Sequence, residues 1–203
     1  EPNFVSELSR KQEMVLTYVP NEMKTIEEKC NREFFELAPH QIFLKNFISR
    51  NTPYDGVLIF HGVGVGKTCS GITIAENFKD TYKQKDKRII ILASQNIQIG
   101  WRKTIYDPQK GDNQCTSDTY ELPEQFTDKP VHSIENETKK AIRSYYELHG
   151  YAAFANSVKR MLKKNLQRIP EEDQEARLAK TKELIDFQYS GRVLIIDEVH
   201  NIR

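Results

Sequence analysis

Lys67 and Thr68 follow three alternating glycines, Gly62, Gly64 and Gly66, in the stretch His61–Ser70, HGVGVGKTCS. Glycines in that alternation let the backbone bend so that successive N–H groups converge, and a helix starting at the end of the run adds favourable potential for an anion. The next two side chains suit a nucleotide polyphosphate and its metal. Lys67 reaches the β- and γ-phosphates, and the Thr68 hydroxyl ligates Mg²⁺. Gly62, Gly64, Val65, Gly66, Lys67 and Thr68 are therefore the candidate phosphate-binding residues. The strict pattern asks for glycine where His61 stands, so only the GxGKT core is met. His61 receives no role. The competing reading is a glycine-rich turn with a surface lysine.

A second set of residues bears on that choice. VLIIDEVH, Val193–His200, puts Asp197 and Glu198 at the exit of an apolar run. There Asp197 would hold Mg²⁺ through water, and Glu198 would polarise the water that attacks the terminal phosphate. Alone, this could be an acidic turn after a core strand. The two motifs in this order, on these elements, favour a phosphate loop with its acidic partner.

Positioning them takes strands that end at the loop and at the acidic turn. VLIF (Val57–Phe60), after the turn NTPYDG, reads as a buried strand leading into the loop, and Gly71, Ile74, Ala75 and Phe78 mark the helix leaving it. RIIILAS (Arg88–Ser94) and RVLIIDE (Arg192–Glu198) read as two more buried strands, and YYELHG as a further candidate. Between them the spacing predicts a short helix carrying Trp101 and an amphipathic helix on Tyr151, Phe154, Ala155, Val158, Met161 and Leu162. A charged, solvated helix is expected from Pro170 to about Phe187. Asp107–Lys140, with Pro108, Gly111, Pro123 and Pro130, shows no periodicity and reads as a long surface insertion. Near the start, Met23, Ile26, Cys30, Phe34 and Leu37 recur at helical spacing. Pro39 then opens a helix with Phe43, Leu44, Phe47 and Ile48 on one face. Strands alternating with helices give an α/β class, a parallel sheet with helices on both faces.

The 203 residues carry 30 basic and 29 acidic side chains, a net charge of +1. That balance argues against a uniformly basic, DNA-coating surface but leaves room for a local groove. The basic runs KRMLKK and TYKQKDKR read as solvated faces. Cys30, Cys69 and Cys115 are odd in number, widely spaced and without CxxC, so neither a disulfide framework nor a zinc site is expected, and a reducing compartment is. No apolar run approaches the ~18 residues of a membrane helix. The chain opens at Glu1 rather than Met, so the expectation is a piece of a larger protein.

DEVH is a DExH box and GxGKT a variant of motif I, and with them the chain resembles superfamily 2 helicases and translocases. LAPHQIFLKNF (Leu37–Phe47) resembles the upstream glutamine motif, which implies Gln41 against adenine. LASQNIQIGWRKTI resembles motif Ia, implying Ser94, Gln95 and Arg102 as nucleic-acid contacts, with Trp101 anchored in the core. YYELHGYAAFAN and DEVHNIR are similar to helicases of large cytoplasmic DNA viruses: the poxvirus nucleoside triphosphatase and early-transcription-factor types and their African swine fever virus and giant-virus counterparts. The resemblance implies a RecA-like domain over residues 37–203, with the 107–140 insertion, behind an N-terminal helical extension, residues 1–36.

It also implies ATP and Mg²⁺ as cofactors, DNA or RNA as partner, and a catalytic set of Lys67, Glu198 and His200, the last coupling nucleotide state to a second RecA-like domain. That second domain falls outside these residues, so the 203-residue chain alone is expected to be inactive in hydrolysis. Viral transcription or replication proteins are implied as further partners, with no membrane, and the cytoplasmic virus factory or the virion as location. One rival reading is a virion or transcription-complex scaffold in which the insertion and the charged helix dock partners. Another, an unrelated GTPase or transporter ATPase, lacks its NKxD or LSGGQ signature here.

Overall fold

The structure is a computed structural model that describes residues 3–15, 17, 35–79, 87–111, 113–116, 120 and 131–202. Most of the helix expected over 21–37, with Cys30 and Phe34, lies outside these residues, as does most of TYKQKDKR. The chain forms two compact units, one of Glu1–Thr81 and Gly100–Ser144, the other of Tyr82–Ile99 and Tyr145–Arg203.

The first unit begins with two short helices, α1 (Phe4–Ser9) and α2 (Gln12–Val15). Helix α3 (Pro39–Phe47) starts on Pro39, whose missing N–H costs nothing in a first turn. The Gln41 Oε1 accepts the Ala38 N–H at 2.8 Å, the returning half of a capping box. Helix α4 (Lys67–Glu76) follows the glycine run and is buried from Cys69 to Ala75. Leu44 and Ile48 meet Ile74 in a core flanked by Phe43, Phe47, Tyr54, Ile59 and Phe78. Asn77 Nδ2 donates to the Lys45 and Ile48 carbonyls at 2.6 and 3.2 Å, which ties the end of α4 to the end of α3. Apolar burial therefore fixes the two helices, and side-chain amides fix their ends.

Three expectations about this unit are corrected. VLIF forms no strand: Leu58 is 77% and Phe60 93% exposed, and only Ile59 turns into the core. The run has no ladder partner among the described residues, and β-prone composition alone does not hold an extended segment. The insertion is not merely a polar surface loop, because Gln114, Thr116 and Tyr120 are buried. Gln114 Oε1 accepts the Asp107 N–H, Thr116 Oγ1 donates to the Ile105 carbonyl, and Tyr120 donates to Glu76. Each polar group buries because backbone or carboxylate satisfies it. Finally, Cys69 and Cys115 form a disulfide, where none was expected. It pins the insertion to α4 across 46 residues, a closure that by chain entropy destabilises the unfolded state by about 4 kcal/mol.

The second unit is built on a parallel sheet of β1 (Ile89–Leu92), β2 (Tyr146–His149) and β3 (Leu194–Ile196), in the order β2-β1-β3. Ile90 stands opposite Glu147 on one side and Leu194 on the other. The central strand, IIIL, is buried throughout, as a continuous apolar run in a parallel sheet should be. β3 departs from the expected strong burial, with Leu194 and Ile196 partly exposed. It pairs with β1 alone among the described residues and forms the sheet's edge.

Helix α5 (Gln95–Ile105) follows β1 and carries Trp101, which is buried as expected. α6 (Val131–Tyr145) leads into β2, and α7 (Tyr151–Leu166) leaves it. α8 (Gln174–Tyr189) packs on α7 and buries no residue fully, matching a solvated helix. Asp173 caps α8 through the Ala176 N–H, and Arg177 donates to the Ile169 carbonyl at 2.9 Å, closing the turn after α7. Ion pairs tie the three strands. Glu147 on β2 meets Arg88 at 3.0 Å, Arg192 at 3.1 Å and His149 at 3.2 Å. Burial works to raise the Glu147 carboxyl, but the His149 hydrogen bond and the two guanidinium groups prevail and hold it below its ordinary value. A parallel sheet with helices around it, an α/β fold, is thus in place.

Candidate functional site

Gly64 and Gly66 both adopt left-handed backbone, φ 81° and 80°, a conformation that glycine takes without strain. Gly62 does not, and a Cβ on it would meet nothing within 4 Å. Gly66 is the N-cap residue of α4, and a Cβ on it would lie 2.7 Å from Gln41 Nε2. The loop is thus pressed against α3. Gln41 is buried, and its Nε2 donates to the Gly66 carbonyl at 3.3 Å while Oε1 holds Ala38. An amide has two N–H groups and two acceptor positions, so one N–H and one lone pair remain for a further partner.

Lys67 Nζ bridges the loop, donating to the His61 carbonyl at 3.1 Å and the Gly62 carbonyl at 3.2 Å. The Thr68 hydroxyl has no partner among the described residues. Val65 is partly exposed, and its carbonyl lies 3.1 Å from His40 Nε2. The His40 ring meets the His61 ring edge-on at 5.2 Å. Sequence reasoning gave neither histidine a role. His40 braces the loop from α3, through the Val65 carbonyl and the His61 ring, and only the fold of α3 onto the loop reveals it. Phe35 is 40% exposed, and its N–H donates to Asn113 Oδ1.

In the second unit the β3 ladder runs into the acidic turn. The Asp197 N–H donates to the Leu92 carbonyl at 2.9 Å. Glu198 then turns at φ 50°, the one non-glycine residue with positive φ among those described. Such a conformation costs on the order of 1 kcal/mol and is found where side-chain direction matters. A 3₁₀ turn, Val199–Asn201, follows. Glu198 Oε2 lies 3.3 Å from His200 Nδ1, and both side chains are exposed.

Tyr151, the first residue of α7, donates its hydroxyl to the Asp197 carbonyl. Burial raises the phenol above its ordinary value, and the Asp197 and Glu198 carboxylates add to that, so it remains a donor. Tyr151 was missed as a site residue. The only signal was its place after Gly150 at the head of a helix, which does not reveal what the hydroxyl reaches.

The residues of the motif Ia stretch begin and end α5. Ser94 precedes the helix, Gln95 opens it on an exposed position, and Arg102 is half-buried near its end. Gln98, not singled out from sequence, is buried and returns its amide to the Ala93 carbonyl at 3.0 Å.

Two proteins of Acanthamoeba polyphaga mimivirus, each provisionally named ATP-dependent RNA helicase, are 29% and 31% identical over 100% and 87% of this chain. A provisionally named helicase of Frog virus 3 is 26% identical over 81% of it. The chain spans only 30%, 16% and 15% of the lengths of these three relatives. No solved structure matches it significantly. Among the described residues, no helix is long and apolar enough to cross a membrane. The family model of the type III restriction enzyme res subunit, ResIII, matches residues 7–203, and the chain therefore belongs to this RecA-like helicase family of superfamily 2.

Proposed function

We propose that the chain is the ATP-binding RecA-like domain of a DExH-box helicase or nucleic-acid translocase, hydrolysing Mg-ATP to move on or unwind DNA or RNA. The observation that carries this is the glycine loop, with two left-handed glycines, Lys67 lying across it and the Thr68 hydroxyl without a partner among the described residues. These residues fit a metal-bound triphosphate. Lys67 would exchange two carbonyl partners for β- and γ-phosphate oxygens, a stronger charge-assisted pairing. Thr68 and Asp197 would hold Mg²⁺, which when bound neutralises charge on the phosphates. Glu198 takes a proton from the attacking water, and His200 beside it relays the turn's state to a second RecA-like domain of the same polypeptide. Ser94, Gln95 and Arg102 contact the nucleic-acid backbone, and no base reading is needed there. The names of the viral relatives support this reading. On this reading the protein acts in viral transcription or replication, in the cytoplasmic virus factory or the virion.

Gln41 supplies the test. Its free N–H and lone pair suit the adenine edge, which presents one acceptor and one donor side by side. Its other half already braces Gly66. Gln41→Ala is therefore expected to weaken ATP binding by about tenfold or more, and pyrophosphate binding by less. Titration calorimetry with both ligands in Mg²⁺ measures the difference. Equal losses would reduce Gln41 to a brace of the loop and remove the adenine contact.

A further inference from the structure

Helix α7 carries Lys159, Arg160, Lys163 and Lys164 in its second half, and Arg168 follows in the turn beyond it. No Asp or Glu occurs from Tyr151 to Arg168, although the whole chain sets 30 basic residues against 29 acidic ones. All five cations are exposed, and none pairs with a carboxylate among the described residues. Lysines on other exposed helices do pair: Lys139 with Glu135, Lys140 with Glu137, Lys180 with Glu183.

Helical spacing sets Lys159 over Lys163 and Arg160 over Lys164, in two adjacent rows with one turn of about 5.4 Å between neighbours. Like charges so placed repel by a few tenths of a kcal/mol per pair. Nothing in the packing requires that cost. The covered side of α7 consists of Phe154, Val158, Met161, Leu162 and Leu166, all half-buried or buried.

We infer that this double row of cations binds the phosphodiester backbone of a nucleic acid without regard to sequence. The inference rests on the proposed nucleic-acid-dependent ATPase, and it adds to that reading a contact surface outside the motif Ia residues. The rows extend over about 8 Å of helix, with Arg168 in the turn just beyond, which suits a polymer of evenly repeated charge. A membrane surface would need apolar side chains beside the cations, and those of α7 lie on its covered side. Tyr151 begins the same helix and holds the Asp197 carbonyl. One rigid element therefore carries both the ridge and the clasp on the acidic turn, about 12–20 Å apart along its axis.

The test is binding of the 203-residue chain to a labelled single-stranded oligonucleotide, as DNA and as RNA, by fluorescence anisotropy over a range of salt concentrations. The variant Lys159→Gln/Arg160→Gln/Lys163→Gln/Lys164→Gln is expected to lose about tenfold or more in affinity near physiological salt. Its plot of log affinity against log salt is expected to flatten by about 3, near 0.7 per lost contact on a single strand. Circular dichroism and melting temperature should hold, because all four side chains are solvated. If the fourfold variant fails to fold, Lys163→Gln/Lys164→Gln should give about half the change in slope. Unchanged affinity and slope in a folded variant would overturn the inference while leaving the ATPase reading intact. Tighter binding of polyglutamate or phosphatidylserine vesicles than of the oligonucleotide would overturn it too, as would no oligonucleotide binding by the unaltered chain. Mg-ATP binding, measured alongside, depends on the loop and not on the ridge, so its absence would count against the ATPase reading instead.

Discussion

Lys67→Ala in the whole polypeptide is expected to lower nucleic-acid-stimulated ATP hydrolysis by about 10²–10³-fold or more, the scale of losing one preorganised charge-stabilising donor. The ammonium already lies across the loop on the His61 and Gly62 carbonyls, where a terminal phosphate would receive it. These two bonds are at the half-exposed mouth of the loop and not in the core of α3 and α4, so their loss should cost stability only about 1 kcal/mol. Steady-state phosphate release, with melting temperature as control, separates the two effects. A rate near that of the unaltered protein would remove the phosphate-loop assignment. A collapse of melting temperature would make Lys67 a structural residue instead.

Glu198→Gln is expected to leave Mg-ATP binding nearly intact and to slow turnover by about 10²–10⁴-fold, the usual contribution of a general base. The substitution preserves the shape of the side chain and leaves Asp197, the proposed metal ligand, in its ladder position against Leu92. It removes the proton acceptor and the carboxylate that faces His200. Calorimetric binding and single-turnover hydrolysis together measure the split. If binding disappeared with turnover, the separate tasks given to Asp197 and Glu198 would be wrong.

The parts of this chain legible in its sequence are those whose signal is local. IIIL reads as a buried strand because it is a short, largely β-branched apolar run that needs cover on both faces. Pro39 with a one-sided apolar stripe, and the stripe after Gly150, marked α3 and α7 for the same reason. The alternation of glycines implied unusual backbone, and two of the three have it. VLIF was misread because its residue types show only a tendency, and pairing depends on a partner the run does not contain. The Cys69–Cys115 link joins residues 46 apart, and it exists because the insertion folds back on α4. The buried groups of that insertion, Gln114 and Thr116, are satisfied by backbone from the end of α5 and just beyond it, which composition cannot show. Tyr151 and His40 belong to the same class. Each acts through one polar atom on a distant carbonyl, and no spacing rule points to it.

On the proposed reading, loop and acidic turn serve one Mg-ATP-hydrolysing motor that works on nucleic acid. Phosphate release by the whole polypeptide, titrated with single-stranded DNA and RNA in the presence and absence of Mg²⁺, tests it most directly. The expected result is Mg²⁺-dependent ATP hydrolysis that rises severalfold or more to a plateau with one or both nucleic acids. No ATP hydrolysis under any of these conditions, or hydrolysis indifferent to both nucleic acids, would contradict it.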